Sequence, residues 1–233
     1  METEFVLFDF DGVIANTEES NAAYLEKALS AFGIQLTDDD RKALIGTNDK
    51  TRIESLLSRS LVKVTAEDLA GKRRQVGNTY ENSCIRPMPG VVSLIQEIRG
   101  RGIKTGLVTS TSTRLIMIAL NRMRMTALFD VVICGDMCAN HKPDPECYKK
   151  AMDYLGAGPC KCIVFEDSAV GIHAARLAGA RVAAYRGSGI QQDVSEADLI
   201  VDSYDECKDM LDDIMQGKIT QGRITQGVIM PCK

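Results

Sequence analysis

The chain opens with an apolar run, Phe5, Val6, Leu7 and Phe8, in which hydrophobic and polar positions do not alternate. Such a run predicts a strand buried on both faces, as in a parallel sheet. After residue 17 the period changes. Tyr24, Leu25, Ala28, Leu29 and Phe32 recur at helical spacing, with Glu18 and Glu19 in the first turn and Gly33 just past the end. Thr37 to Ile45, Lys50 to Leu61 and Ala66 to about Glu81 read as further helices, and Thr65 with Asp68 has the spacing of a capping box. No strand is predicted between residues 18 and 87, so this stretch reads as an all-helical insertion.

From Pro87-Met88-Pro89-Gly90 onward, helical and strand patterns alternate. Helix Val91 to Arg99 precedes strand Lys104 to Thr109, helix Arg114 to Met123 precedes strand Val131 to Cys134, and helix Pro145 to Leu155 precedes strand Cys162 to Phe165. Helix Val170 to Leu177, strand Arg181 to Ala184, a short strand Leu199 to Val201 and helix Tyr204 to Met215 complete the series. This alternation predicts an α/β fold, a doubly wound parallel sheet with helices on both faces. The expected division is a core of residues 1–15 and 88–233 and a helical insertion of residues 16–87.

Ligands of such sheets sit at the carboxyl ends of the strands. Asp9, Asp11, Thr109 and the Glu166-Asp167 pair all fall there. Residues i and i+2 of an extended chain face the same way, so Asp9 and Asp11 project together while Phe10 turns back toward the core. Two neighbouring carboxylates at a buried strand end require a cation or a proton, which implies a metal, an acid/base role, or both. Gly12 lets the backbone bend sharply after them. Three further pieces reach the same edge: Thr109-Ser110, Lys142-Pro143, and Glu166-Asp167-Ser168 with Gly171 following.

Composition narrows the partners. With 28 basic and 32 acidic residues and a net charge of −4, no global field favours nucleic acid or an anionic membrane, so any phosphate binding must be local. No stretch approaches the roughly 20 apolar residues of a membrane span. A cytoplasmic, monomeric protein is the expectation. The eight cysteines form no CxxC pair, and reduced, mostly buried thiols are expected in preference to a zinc or disulfide site. His141 and His173 have no partner identifiable from sequence and are assigned no catalytic role. Met117, Met123 and Met125 read as core packing. The tail repeat, Ile219-Thr-Gln-Gly and Ile224-Thr-Gln-Gly, reads as a frayed tail or an added edge strand and is assigned no function.

The segments Asp9-Phe10-Asp11-Gly12-Val13, Leu107-Val108-Thr109-Ser110, His141-Lys142-Pro143-Asp144-Pro145 and Val164-Phe165-Glu166-Asp167-Ser168-Ala169-Val170-Gly171-Ile172 together resemble the signatures of the haloacid dehalogenase-like hydrolase superfamily. The resemblance covers nearly the whole chain to about residue 215, within the branch similar to β-phosphoglucomutase and phosphoglycolate phosphatase. It implies a Rossmann-like core whose helical insertion acts as a cap, and phosphoryl transfer through an aspartyl-phosphate. Asp9 is then the nucleophile and Asp11 the general acid and base. The resemblance also implies Mg2+ held by Asp9, the Asp11 carbonyl and Asp167, with Glu166 supporting directly or through water. Thr109 and the Ser110 amide would hold phosphate oxygens, and Lys142 would offset charge. From the cap, Asn21, Gly46 and Lys50 would face the substrate.

The reaction within this class is narrowed by departures from the pattern. The mutases of the branch carry a histidine four residues after the threonine that ends the first motif, and an arginine three residues after a cap glycine. Here those positions hold Asn21, counting from Thr17, and Asp49, counting from Gly46. Without the arginine, the bidentate donor for a second phosphate is missing, which favours a phosphatase over a mutase. Lys50, Arg52, Lys72 and Arg73 are the nearby cations that could substitute. Phosphonoacetaldehyde hydrolases also resemble the chain, with Lys50 similar to their Schiff-base lysine, but they and the dehalogenases lack the second aspartate. An inorganic pyrophosphatase and a catalytically idle binding domain complete the alternatives.

Overall fold

The computed structural model describes residues 3–44, 50–156, 158–209 and 211–216. The expected roles of Gly46 and Asp49, the side chain of Lys50 and the Ile219 to Gly227 repeat lie outside the described residues. The chain divides into two compact units, residues 17–85 and residues 1–16 with 86–233.

In the larger unit, strands β1 (Phe5–Phe8), β2 (Lys104–Val108), β3 (Val131–Ile133), β4 (Cys162–Glu166), β5 (Arg181–Tyr185) and β6 (Leu199–Val201) form one parallel sheet in the order β3-β2-β1-β4-β5-β6. The order reverses direction at β1, and doubly wound sheets bind ligands at such a switch point. Phe8, the last residue of β1, lies opposite Leu107 on one side and Phe165 on the other. The register therefore brings Asp9 level with Val108 and Glu166, as the alternation of apolar runs and helices leads one to expect.

The smaller unit is helical throughout its described residues: α1 (Glu18–Ser30), α2 (Asp38–Leu44), α3 (Lys50–Leu57), α4 (Ala66–Val76) and α5 (Thr79–Asn82). Its own core gathers Leu25, Leu29, Ile34, Leu56 and Leu69. Two expected helices are shorter. Helix α3 stops at Leu57 because Leu61 and Val62 have no apolar surface to cover and stay exposed, while Ser60 Oγ turns to donate to the Phe32 carbonyl at 2.9 Å. The stretch expected to run on to Glu81 breaks at Gly77, whose φ of 97° no helix accepts, and Asn78 restarts it by accepting from the Glu81 amide at 3.0 Å. The capping box at Thr65 and Asp68 is present.

In the larger unit the sheet is flanked by α6 (Val91–Gly100), α7 (Thr113–Arg122), α8 (Glu146–Leu155), α9 (Ala169–Leu177), α10 (Tyr204–Asp209) and α11 (Leu211–Gln216). One core cluster joins Leu7, Val108, Val164 and Val182 of the strands to Tyr148, Ala151 and Met152 of α8 and Ile172 and Ala175 of α9. Elsewhere in this unit Phe8 stacks on Phe165 at 5.0 Å and Tyr185 on Tyr204 at 4.2 Å. Of the methionine stripe, Met125 is buried but Met117 is 40% exposed, so the stripe is only partly core.

The cysteine expectation needs correction. Cys138 and Cys147 form a disulfide with their Cα atoms 5.9 Å apart, and Cys160 is disulfide-bonded as well. Cys138 and Cys147 lie at either end of a loop that folds back on itself, a closeness no local spacing motif announces. Cys134, Cys162 and Cys207 are buried free thiols, as expected, and Cys84 is an exposed one. Among the described residues no helix is long and apolar enough to cross a membrane.

Candidate active site

The ends of β1, β2 and β4 and the loop after β3 converge on one polar cluster. Asp9 leaves β1 with its amide bonded to the Phe165 carbonyl at 2.9 Å, which extends the ladder one residue beyond the strand. The chain then turns at once. The amides of Ile14 and Ala15 both bond the Phe10 carbonyl, and the Gly12 amide bonds the Ala15 carbonyl. Gly12 sits at φ 79°, and a Cβ there would lie 1.8 Å from Asp167 Oδ2. The missing side chain is what lets the Asp167 carboxylate approach the first loop.

Lys142 is the centre of the cluster. It arrives from the loop between β3 and α8, and its Nζ donates to Asp9 Oδ1 at 2.6 Å, Glu166 Oε1 at 2.7 Å and the Val108 carbonyl at 3.2 Å. The ammonium also stands 4.8 Å above the Tyr148 ring, a cation–π placement. Three ionisable groups are thus buried together, and burial alone would be costly for each.

Glu166 is fully saturated. Oε1 accepts from Lys142 and from the Tyr148 hydroxyl at 3.0 Å, while Oε2 accepts from the amides of Asp167 and Ser168 and from Ser168 Oγ, each at 3.0 Å. Gly171 makes room for it, since a Cβ there would lie 1.8 Å from Oε1. Ser168 Oγ also accepts from the Gly171 amide at 3.1 Å and so caps α9. Burial raises the Glu166 pKa, but Lys142 and the Ser168 donors outweigh it and hold the carboxyl below its usual range. Burial likewise works against the Lys142 charge, yet Asp9 and Glu166 hold the ammonium well above the usual lysine value.

Asp9 is the group left short. Burial pushes its carboxyl up to about 8; Lys142 pulls it down, while Glu166 and Asp11 add to the rise. One ammonium faces two buried carboxylates, and Glu166 has the better donors. A second cation beside Asp9 would complete the balance. Asp9, Glu166 and Asp167 each offer a carboxylate oxygen within 4.8 Å of one another.

The remaining expected residues fall as follows. Asp11 is half-buried and forms a bridge with Ala15. Thr109 is buried, and its Oγ1 accepts from the Thr111 amide at 3.1 Å, leaving its own hydrogen to donate. Ser110 is exposed, its carbonyl close against Gly135, where a Cβ would come within 2.2 Å of it. In the smaller unit, Asn21 Oδ1 accepts from Thr79 Oγ1 at 2.6 Å. The cluster of expected residues is thus Asp9, Asp11, Thr109, Lys142, Glu166 and Asp167. His141 is exposed, and His173 Nδ1 lies 2.9 Å from Glu196, away from the cluster.

Two participants escape sequence reasoning, Tyr148 on α8 and Thr111 after β2, because no motif or spacing in the sequence singles them out. Thr111 Oγ1 donates to Asp11 Oδ2 at 3.1 Å across a separation of 100 residues.

A family model for haloacid dehalogenase-like hydrolases matches residues 6–185, a span that holds every member of this cluster. The chain belongs to that family. It is 30% identical over 176 residues to the phosphorylated carbohydrates phosphatase of Thermotoga maritima, covering 76% of this chain and 82% of that one. The crystal structure of CbbY from Rhodobacter sphaeroides in complex with phosphate superposes with a TM-score of 0.73 at 27% identity, covering 89% of this chain and 96% of that chain. A β-phosphoglucomutase from Clostridium difficile has a TM-score of 0.74 over 92% of this chain and 98% of its own, and at 24% identity it speaks to the fold alone.

Proposed function

We propose that the chain is a Mg2+-dependent phosphatase of a small phosphorylated metabolite, a sugar phosphate or a close relative, that works through an aspartyl-phosphate on Asp9. The observation that carries this reading is the buried bridge in which Lys142 Nζ meets both Asp9 Oδ1 and Glu166 Oε1. It fixes the orientation of the Asp9 carboxylate and leaves it short of one positive charge. The similarity to a phosphorylated carbohydrates phosphatase supports the substrate class.

The donor set suits a hard cation: carboxylate oxygens gathered within 4.8 Å, with Gly12 clearing space for Asp167. Asp9, the Asp11 carbonyl and Asp167 would hold Mg2+, with Glu166 supporting, and the ion would neutralise charge on the phosphoryl oxygens.

The protein's own groups divide the remaining work. The Asp9 carboxylate attacks phosphorus as the bond to the leaving oxygen breaks, and Asp11 gives that oxygen its proton. Asp11 then takes a proton from water as the water attacks the aspartyl-phosphate, which releases phosphate and restores Asp9. Thr109 Oγ1 and the Ser110 amide donate to phosphoryl oxygens, and Lys142 carries part of their charge. Residues 17–85 act as a cap that selects the substrate through Asn21, Gly46 and Lys50. Asn21 and Asp49 stand where a mutase carries histidine and arginine, so a second phosphate is poorly held and water competes for the intermediate.

Incubation with β-glucose 1-phosphate, a trace of the 1,6-bisphosphate and Mg2+ tests this balance. Released phosphate should exceed glucose 6-phosphate. Rapid formation of glucose 6-phosphate with little free phosphate would make the protein a mutase. No hydrolysis of any aryl, sugar or nucleotide phosphate or of pyrophosphate would leave a binding domain.

A further inference from the structure

We infer that Thr111 is the positioning residue for Asp11, holding its carboxyl group in one orientation through Oδ2; this rests on the acid/base reading of Asp11 above. Three contacts fix Thr111 in place. Its amide donates to Thr109 Oγ1 at 3.1 Å, its carbonyl accepts from the Gly135 amide at 3.0 Å, and its hydroxyl donates to Asp11 Oδ2 at 3.1 Å. The second contact depends on glycine, because any Cβ at Gly135 would collide with the Ser110 carbonyl at 2.2 Å. Two residues on, the Thr113 amide and hydroxyl both bond Asp136 Oδ1, at 2.9 and 2.7 Å, which ties down the far side of the same turn. The turn after β2 is therefore braced against the turn after β3, and the braced element aims a hydroxyl at Asp11.

The chemical consequence lies in how the carboxyl group is aimed. A donor fixed on Oδ2 holds the group against rotation, so the acid meets the leaving oxygen in one orientation. When the P–O bond breaks, its electron pair goes to the leaving oxygen, the proton passes from the Asp11 carboxyl group to that oxygen, and Asp11 becomes the carboxylate that Thr111 continues to hold. A leaving group that needs a proton feels this arrangement, and one that departs readily as an anion does not. Thr111 thus contributes to the range of alcohols the enzyme can release.

The test compares kcat/KM, which reports steps through the first irreversible bond cleavage, for an alkyl phosphate and for 4-nitrophenyl phosphate with saturating Mg2+. Asp11→Asn should lose roughly 10²- to 10⁴-fold on the alkyl phosphate and far less on the aryl phosphate. Thr111→Val, which keeps the shape and removes the hydroxyl, should lose about tenfold on the alkyl phosphate and less than about twofold on the aryl phosphate. Thr111→Ser should restore most of that loss. If Asp11→Asn discriminates between the substrates and Thr111→Val lowers both equally, or neither, the positioning role is wrong while the acid stands. If Asp11→Asn does not discriminate, the acid/base reading falls and the role of Thr111 falls with it.

Discussion

Tyr148 donates its hydroxyl hydrogen to Glu166 Oε1 at 3.0 Å, the same oxygen that accepts from Lys142, while its ring lies beneath the Lys142 ammonium. A single side chain thus meets both members of a buried ion pair, the cation by its π face and the anion by its hydroxyl. Removing only the hydroxyl separates the two contributions. Tyr148→Phe should keep the cation–π contact, cost about 1.5–3 kcal/mol of stability and reduce kcat/KM by less than roughly tenfold. Denaturant titration alongside steady-state kinetics checks it, and an unchanged midpoint would show that the hydroxyl contributes nothing.

Lys142 should be far more demanding. With the ammonium gone, Asp9 and Glu166 would face each other across a buried site with no cation between them. Lys142→Met should cost ~3–5 kcal/mol in chelator, the scale of an uncompensated buried charge, and at least roughly 10²-fold in kcat. Lys142→Arg should not rescue activity, because a planar fork cannot reproduce the compact contacts to Asp9 Oδ1, Glu166 Oε1 and the Val108 carbonyl. Full activity in either variant would remove Lys142 from the chemistry.

Asp9→Asn should lose at least ~10³-fold in turnover, the scale expected when a covalent nucleophile is removed. Wild-type protein should be inactivated by chelator and recover on addition of Mg2+. Acid-stable trapping of phosphoenzyme, absent in Asp9→Asn, is the direct assay.

The loop that delivers Lys142 has its own pH dependence. Glu146 accepts from the amides of Ala139 at 2.9 Å and Asn140 at 2.8 Å and pairs with Lys150 at 2.7 Å. The Lys150 hydrogen bond first, then the two amides, hold its carboxyl down to about 2. A depressed carboxylate stabilises the fold at pH values above its unfolded range, near 4.5, and that contribution is lost as pH falls toward 2. Amide NMR shifts of Ala139 and Asn140 in the folded protein should therefore stay constant from neutral pH through 4.5 and titrate only with a midpoint near 2, and in Glu146→Gln they should not titrate. A transition at neutral pH would exclude Glu146 as its cause.

Much of this protein is written in local pattern. The unbroken apolar run Phe5 to Phe8 requires a strand buried on both faces, and the i, i+2 spacing of Asp9 and Asp11 sets both beside one strand end. The strand and helix alternation after residue 87 then leaves a parallel sheet as the only economical packing, so Thr109, Glu166 and Asp167 had to arrive at the same edge. These features depend on residues a few positions apart, and periodicity reports them. The contacts that only the tertiary structure decided join residues in different elements: Lys142 to Glu166 across 24 positions, Thr111 to Asp11 across 100, and the Tyr148 hydroxyl to Glu166 across 18. Each depends on where a loop or helix ends up after the sheet has formed. The Cys138–Cys147 disulfide, spanning only 9 positions, depends in the same way on a loop folding back. The helix stop at Leu57 and the break at Gly77 were settled by what surface remained to be covered and by a left-handed turn. Local pattern placed the carboxylates at one edge, and packing selected the partners that orient them, because a hydrogen bond between loops has no period in the sequence that encodes it.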